Sequence, residues 1–176
     1  MLVEVKVQSL ALDRTTNTPV VILQELGGER VLPIWIGPGE ASAIAMQLAE
    51  MEFSRPLTHD LLCSVMKGLG GSLQKVIITR VESSTYYAEL IVRRNGEVIS
   101  LDARPSDSIA VALRASARIF AQDELLEEAS IEVAEEAATP GTEAKGSVPM
   151  HEPMKPEELE EHLRKLDPED FGRFTP

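Results

Sequence analysis

The chain has 176 residues, enough for one compact domain and an appendage. Its formal net charge is −12, yet residues 1–122 hold 12 Lys+Arg against 13 Asp+Glu while residues 123–176 hold 5 against 16, so a near-neutral body carries an acidic tail and neither demands nor excludes a polyanionic partner. The lone cysteine, Cys63, excludes an internal disulfide, and no run approaches the ~18 apolar residues of a membrane span, so a cytoplasmic protein without membrane association is expected.

Met1 leads directly into an alternation of Val3, Val5 and Val7 with Glu4 and Lys6, the period of a half-buried strand. A turn cluster covers Asp13 to Pro19. Strands are expected over Val20–Gln24 and Arg30–Ile36, joined through Gly27-Gly28, because glycine tolerates the positive φ of a hairpin turn. Pro38 suits the first turn of a helix, and Glu40 then meets the positive end of its dipole, worth ~0.3–1 kcal/mol. A second helix is expected from an N-cap at Thr58, with Asp60 in its first turn. Leu61, Leu62, Val65, Met66 and Leu69 form its apolar face, and Gly70-Gly71 ends it. Strands over Tyr87–Arg93 and Glu97–Ala103 flank Asn95-Gly96, a stronger hairpin signal, and Pro105 opens an Ala-rich helix with Asp107 in its first turn. The body closes near Ile119-Phe120 with a short helix over Asp123–Ala129. Residues 131–154 have the composition of a flexible acidic linker. In residues 155–176, Leu159, Leu163 and Leu166 recover helical spacing, with Glu161 and Lys165 paired, on a segment short enough to need a docking surface.

Part of this pattern occurs twice, 67 positions apart. Leu32 to Met46 lies over Ile99 to Leu113 without a gap: Pro38 falls on Pro105, Glu40 on Asp107, Ala43 on Ala110 and Ala45 on Ala112. Each copy reads as hairpin, strand, proline, acid and Ala-rich helix, which predicts an α+β fold of duplicated units forming one pseudo-symmetric sheet-and-helix domain. Ile34 and Ile36 match Leu101 and Ala103, and these positions are expected to face the core. The copies diverge between them, Trp35 against Asp102 and Gly37 against Arg104, so Asp102 and Arg104 are expected to share one strand face beside Ser106 and Asp107. Their structural alternative is an ion pair with a helix cap.

Leu32-Pro-Ile-Trp-Ile-Gly, Glu40-Ala, Arg55-Pro-Leu-Thr-His-Asp60-Leu, Tyr87-Ala88 and Ala103-Arg-Pro-Ser-Asp-Ser108 together resemble the bifunctional nuclease (BFN) family over residues 1–130. The resemblance implies an α+β fold and, as in plant members, an ability to degrade RNA and DNA. Phosphodiester hydrolysis at neutral pH is commonly helped by a divalent cation held by carboxylates, with a cation or amides on the phosphate. The candidates are therefore His59 as acid–base beside Asp60, Asp102 and Asp107 as catalytic residues, Glu40, Asp60, Asp102 and Asp107 toward Mg²⁺ or Mn²⁺, and Arg55 and Arg104 toward phosphate. No D-x-D, H-x-H or H-E-x-x-H spacing announces a preformed metal centre, and each helix-start acid also serves its own helix. Cys63 lies one turn from His59, and the structural alternative is a plain buried thiol. RNA or DNA is thus the expected partner. A non-enzymatic oligomeric binding or regulatory module, dimeric for preference and pairing through the face marked by Trp35, is the alternative.

Overall fold

The computed structural model describes residues 1–13 and 15–129; the expected linker and terminal helix lie outside the described residues. The opening alternation becomes β1 (Leu2–Asp13), followed by β2 (Thr18–Glu25), β3 (Val31–Trp35) and α1 (Pro38–Leu48). After α2 (Thr58–Gly68) come β4 (Gly71–Glu82), β5 (Thr85–Arg94), β6 (Glu97–Ala103), α3 (Pro105–Ala115) and β7 (Arg118–Gln122), and residues 123–129 are helical. The fold is α+β, with a seven-stranded sheet in the order β3-β2-β1-β7-β4-β5-β6.

Two antiparallel meanders, β1–β2–β3 and β4–β5–β6, flank β7. Because β7 runs antiparallel to β1 and parallel to β4, the meanders point in opposite senses, as a half-turn normal to the sheet would place them. The 67-residue offset reappears in the helices: α1 and α3 both have eleven residues, and both start on the proline after an extended residue. The turn at Asn95 (φ 52°) and Gly96 (φ 85°) is left-handed at both positions, which is why an Asn-Gly pair makes the β5–β6 hairpin tight.

Helices line one face of the sheet. α3 lies mainly on β4, β5 and β7, while α1 packs on β2 and α3, and α2 on α3 and β4. One apolar cluster joins Val5, Leu23, Ile34, Val76, Ile78, Leu90, Ile119, Ile44, Ile109, Leu125 and Leu126. Small residues at Ala110 and Ala112 let α3 sit close on the strands. Arg30 pins the start of helix 123–129 to the first hairpin through Asp123 at 2.9 Å and is also paired with Glu25.

Three expectations are corrected. Leu101 lies on the core side of the sheet beside Leu90 but is not covered there as Ile34 is, because the main contacts of α3 stop short of β6; Leu101 is 46 % exposed where Ile34 is 2 %. The apolar residues of α2 are largely at the surface: Leu61, Leu62, Val65 and Leu69 are exposed, and the helix turns Cys63 and Met66 inward instead. Finally, Thr58 is the first helical residue rather than the cap. Its predecessor Leu57 occupies that place, and the Asp60 carboxylate accepts from the Leu57 amide at 2.8 Å. A carboxylate reaching back by three residues replaces the hydroxyl cap.

Candidate active site at three helix starts

α1 and α3 place an acid at the same point of their first turn, and one arginine joins the two. Arg104, the residue before Pro105, reaches Asp107 with Nε at 2.7 Å and Glu40 with Nη1 at 3.2 Å. Gly37 makes room for this: a Cβ there would run into the Glu40 carboxylate, so the bare backbone lets the acid lie over the start of α1. From α2, the imidazole Nε2 of His59 meets the other oxygen of Asp107 at 3.1 Å. Three helix N-termini thus contribute to one cluster, His59–Asp107–Arg104–Glu40, and their dipoles favour an anion beside it.

Burial would raise the pKa of Asp107, but hydrogen bonds from Arg104 and then His59 outweigh it and hold the carboxyl below its ordinary value. Asp107 is therefore ionised at neutral pH. An ionised Asp107 accepts from Nε2–H and leaves Nδ1 as the basic nitrogen of a neutral ring. The His59 side chain is 13 % exposed and that of Arg104 65 %, so the base is sheltered while the cation reaches solvent. Asp107 raises the pKa of Arg104 in return, against the smaller effect of burial.

Asp60 serves a different network. It accepts from the Leu57 amide and from Nε of Arg114 at 2.6 Å, and Arg114 donates further to the carbonyls of Ala110 and Ala43. The Leu57 hydrogen bond is the largest influence lowering the Asp60 pKa; burial opposes it and Arg114 adds to it. α2 thus straddles α3, with His59 turned to its first turn and Asp60 to its last. Arg114 was not singled out in the sequence. Its partner is 54 positions away, and nothing local marks it.

Asp102 is not part of the cluster. It faces Glu89 across the β5–β6 ladder, in the alternating set opposite to that of buried Leu90, whereas Arg104 has left the strand for the helix cap. The expected Asp102–Arg104 strand face is therefore not formed, because the strand ends at Ala103. Arg55 lies exposed in the connection between α1 and α2 and makes no ion pair among the described residues. Among those residues no three His, Cys, Asp or Glu side chains are grouped to hold a metal ion; of the four acids considered, Glu40 and Asp107 come together, through Arg104.

Cys63 is buried, its thiol pointing to the Val111 carbonyl at 4.0 Å rather than to His59. Burial raises its pKa against the smaller pull of Arg114 and Lys67. Alkylation of native protein by iodoacetamide at pH 8 is expected to be at least about tenfold slower than that of unfolded protein, followed by intact mass. Equal rates would show the thiol to be accessible. Trp35, at the outer edge strand, is 41 % exposed and donates its indole N–H to Asp13 at 3.1 Å. No helix among the described residues is long and apolar enough to cross a membrane.

Comparison with known proteins identifies the family. An uncharacterized protein of Mycobacterium tuberculosis is 39 % identical over 171 residues, 96 % of this chain and 97 % of the relative. Bifunctional nuclease 1 of Oryza sativa subsp. indica is 28 % identical over 105 residues, 58 % of this chain and 32 % of its own length. Bifunctional nuclease 1 of Arabidopsis thaliana is 25 % identical over a similar stretch, so this chain spans about a third of the plant proteins. The Bifunctional nuclease domain model matches residues 21–134, which include all four residues of the cluster, and the chain belongs to that family.

Proposed function

We propose that the chain hydrolyses phosphodiesters of RNA and DNA with low sequence specificity, using His59 as the base and Arg104 on the phosphate. The observation that carries this is the His59–Asp107 contact at 3.1 Å with Arg104 held on the same carboxylate. An enzyme that acts on DNA as well as RNA cannot depend on the 2′-hydroxyl, so the nucleophile is water. Nδ1 of His59 takes its proton as the water oxygen bonds to phosphorus; the P–O bond to the leaving sugar breaks and its oxygen takes a proton from solvent. Asp107 fixes the ring and balances the imidazolium that forms, and Arg104 offsets the charge gathering on the phosphate oxygens. Arg55, exposed and free of ion pairs among the described residues, is assigned to a neighbouring phosphate.

Mg²⁺ ordinarily binds through one or two carboxylates together with substrate phosphates and water rather than in an all-protein cage. Glu40 and Asp107 are the acids suited to that role for Mg²⁺ or Mn²⁺, which would supply charge neutralisation at the phosphate. The few cations of the site imply weak, salt-sensitive binding. The single buried thiol suits a reducing compartment, and we assign the chain to the cytoplasm.

The test is a gel assay of the purified full chain on end-labelled single-stranded RNA and DNA, with Mg²⁺ or Mn²⁺ and with chelator. Shortening of both polymers is expected. Two intact substrates under both ions would leave the proposal without support.

A further inference from the structure

The two outer strands of the sheet are finished very differently. β3 is five residues long and carries Pro33, which cannot donate to a neighbour. β6 is seven residues long, without lysine, proline or bulge, and pairs in unbroken register with β5. Six of its seven residues are exposed, among them Val98 at 62 %, Leu101 and Ile99. Among the described residues its outer backbone groups have no strand to pair with. Such an edge is a template for strand addition.

We propose that β6 is the dimer interface of this protein, adding antiparallel to β6 of a second copy across a two-fold axis at Ser100. The occupant follows from the pattern of the strand. With Ser100 opposite itself, Ile99 faces Leu101 of the second copy, and the same contact recurs by symmetry. On the inner side these residues neighbour Val92 and Leu90, so a single apolar row, Val92–Ile99–Leu101–Leu90, crosses from one core into the other. On the outer side the charges match as well. Arg93 pairs with Val98 and Glu89 with Asp102, so the row reads Arg93, Val98, then Asp102 and Glu89 of the second copy.

Within one chain Glu89 and Asp102 are like charges directly opposite each other, an unfavourable pairing in which the Ser100 hydroxyl donates to Glu89. Arg93 of the second copy stands two strand spacings from Asp102, about 10 Å between backbones, which an arginine and an aspartate side chain can span over a valine. Registers centred one residue either way lose this: with Ile99 on the axis Leu101 faces Glu97, and with Leu101 on the axis Ser100 faces Asp102. The axis at Ser100 matches apolar with apolar and basic with acidic, as an isologous contact requires. The result is one continuous sheet through both copies, independent of the nuclease proposal and on a different surface from Trp35.

The experiment is light scattering and sedimentation velocity on the full chain across a concentration series. Twice the chain mass is expected, with Ile99→Lys/Leu101→Lys sedimenting as a monomer that keeps the wild-type circular dichroism spectrum. Arg93→Glu and Asp102→Arg should each raise the dimer dissociation constant by about tenfold or more, and the two together should restore it. A monomer at every concentration, whatever else covers the edge, overturns the proposal. So does a dimer that ignores the lysine pair, or charge reversals that fail to rescue one another.

Discussion

On the proposed mechanism, His59→Ala is expected to lower the rate of polynucleotide cleavage by about 10²–10⁴-fold without changing the fold, the range for removal of a positioned acid–base. The ring sits at a helix start and its polar contact is with Asp107, so its loss leaves the apolar cluster whole. Asp107→Asn is the sharper probe. The amide keeps the size of the side chain but can present its NH₂ group to Nε2, which stabilises the wrong tautomer and leaves Arg104 with Glu40 alone. The rate is expected to fall by about 10²-fold or more, with a loss of thermal stability at pH 7 that fades as the pH falls through the folded pKa of Asp107. Arg104→Lys retains the charge but loses the two-acid span, and should lower kcat more than it raises KM. Glu82→Gln, on the far end of β4 with Arg80, serves as an inert control. Initial rates on labelled RNA check the series, and wild-type turnover by the His59→Ala protein removes His59 from the mechanism.

Asp60→Ala destabilises the fold by about 3 kcal/mol. The Arg114 side chain is 6 % exposed, and its Nε would lose its carboxylate while the carbonyls of Ala110 and Ala43 remain. The Asp60 side chain is 35 % exposed, so solvent softens the loss, but the buried Arg114 charge stays behind without its carboxylate and the cap of α2 is lost too. The effect depends on pH in a definite direction. Asp60 and Asp107 titrate lower in the folded chain than the ~3.9 of a free aspartate, so the stability they contribute is full above that value. It is lost as pH falls through their folded values. Urea unfolding should therefore separate Asp60→Ala from wild type widely at pH 7 and much less at pH 2. Equal midpoints at pH 7 would show that Asp60 bears no structural load.

The halves of the sheet were legible because hairpins and helix starts are local. Asn95-Gly96, Pro38 and Pro105 each dictate backbone geometry on their own, and the helices begin where the prolines stand. β4 and β7 were not legible in the same way. The run Val76-Ile77-Ile78-Thr79 lacks alternation because a central strand is apolar on both sides, and β7 is only five residues long. The site divided along the same line. Glu40 and Asp107 could be placed from their equivalent positions, whereas their union through Arg104 and the approach of His59 across 48 residues are tertiary facts. Asp102 stands apart from the cluster because β6 ends at Ala103: Asp102 stays in the ladder opposite Glu89 while Arg104 caps α3.

The position of β7 also bears on how the molecule is made. The strand that bridges β1 and β4 is the last of the seven to be synthesised, so a nascent chain halted before residue 118 would own every helix from α1 to α3 yet join its meanders only through helix contacts such as α1 on α3. Closure of the seven-stranded sheet must therefore wait for this late central strand to leave the ribosome.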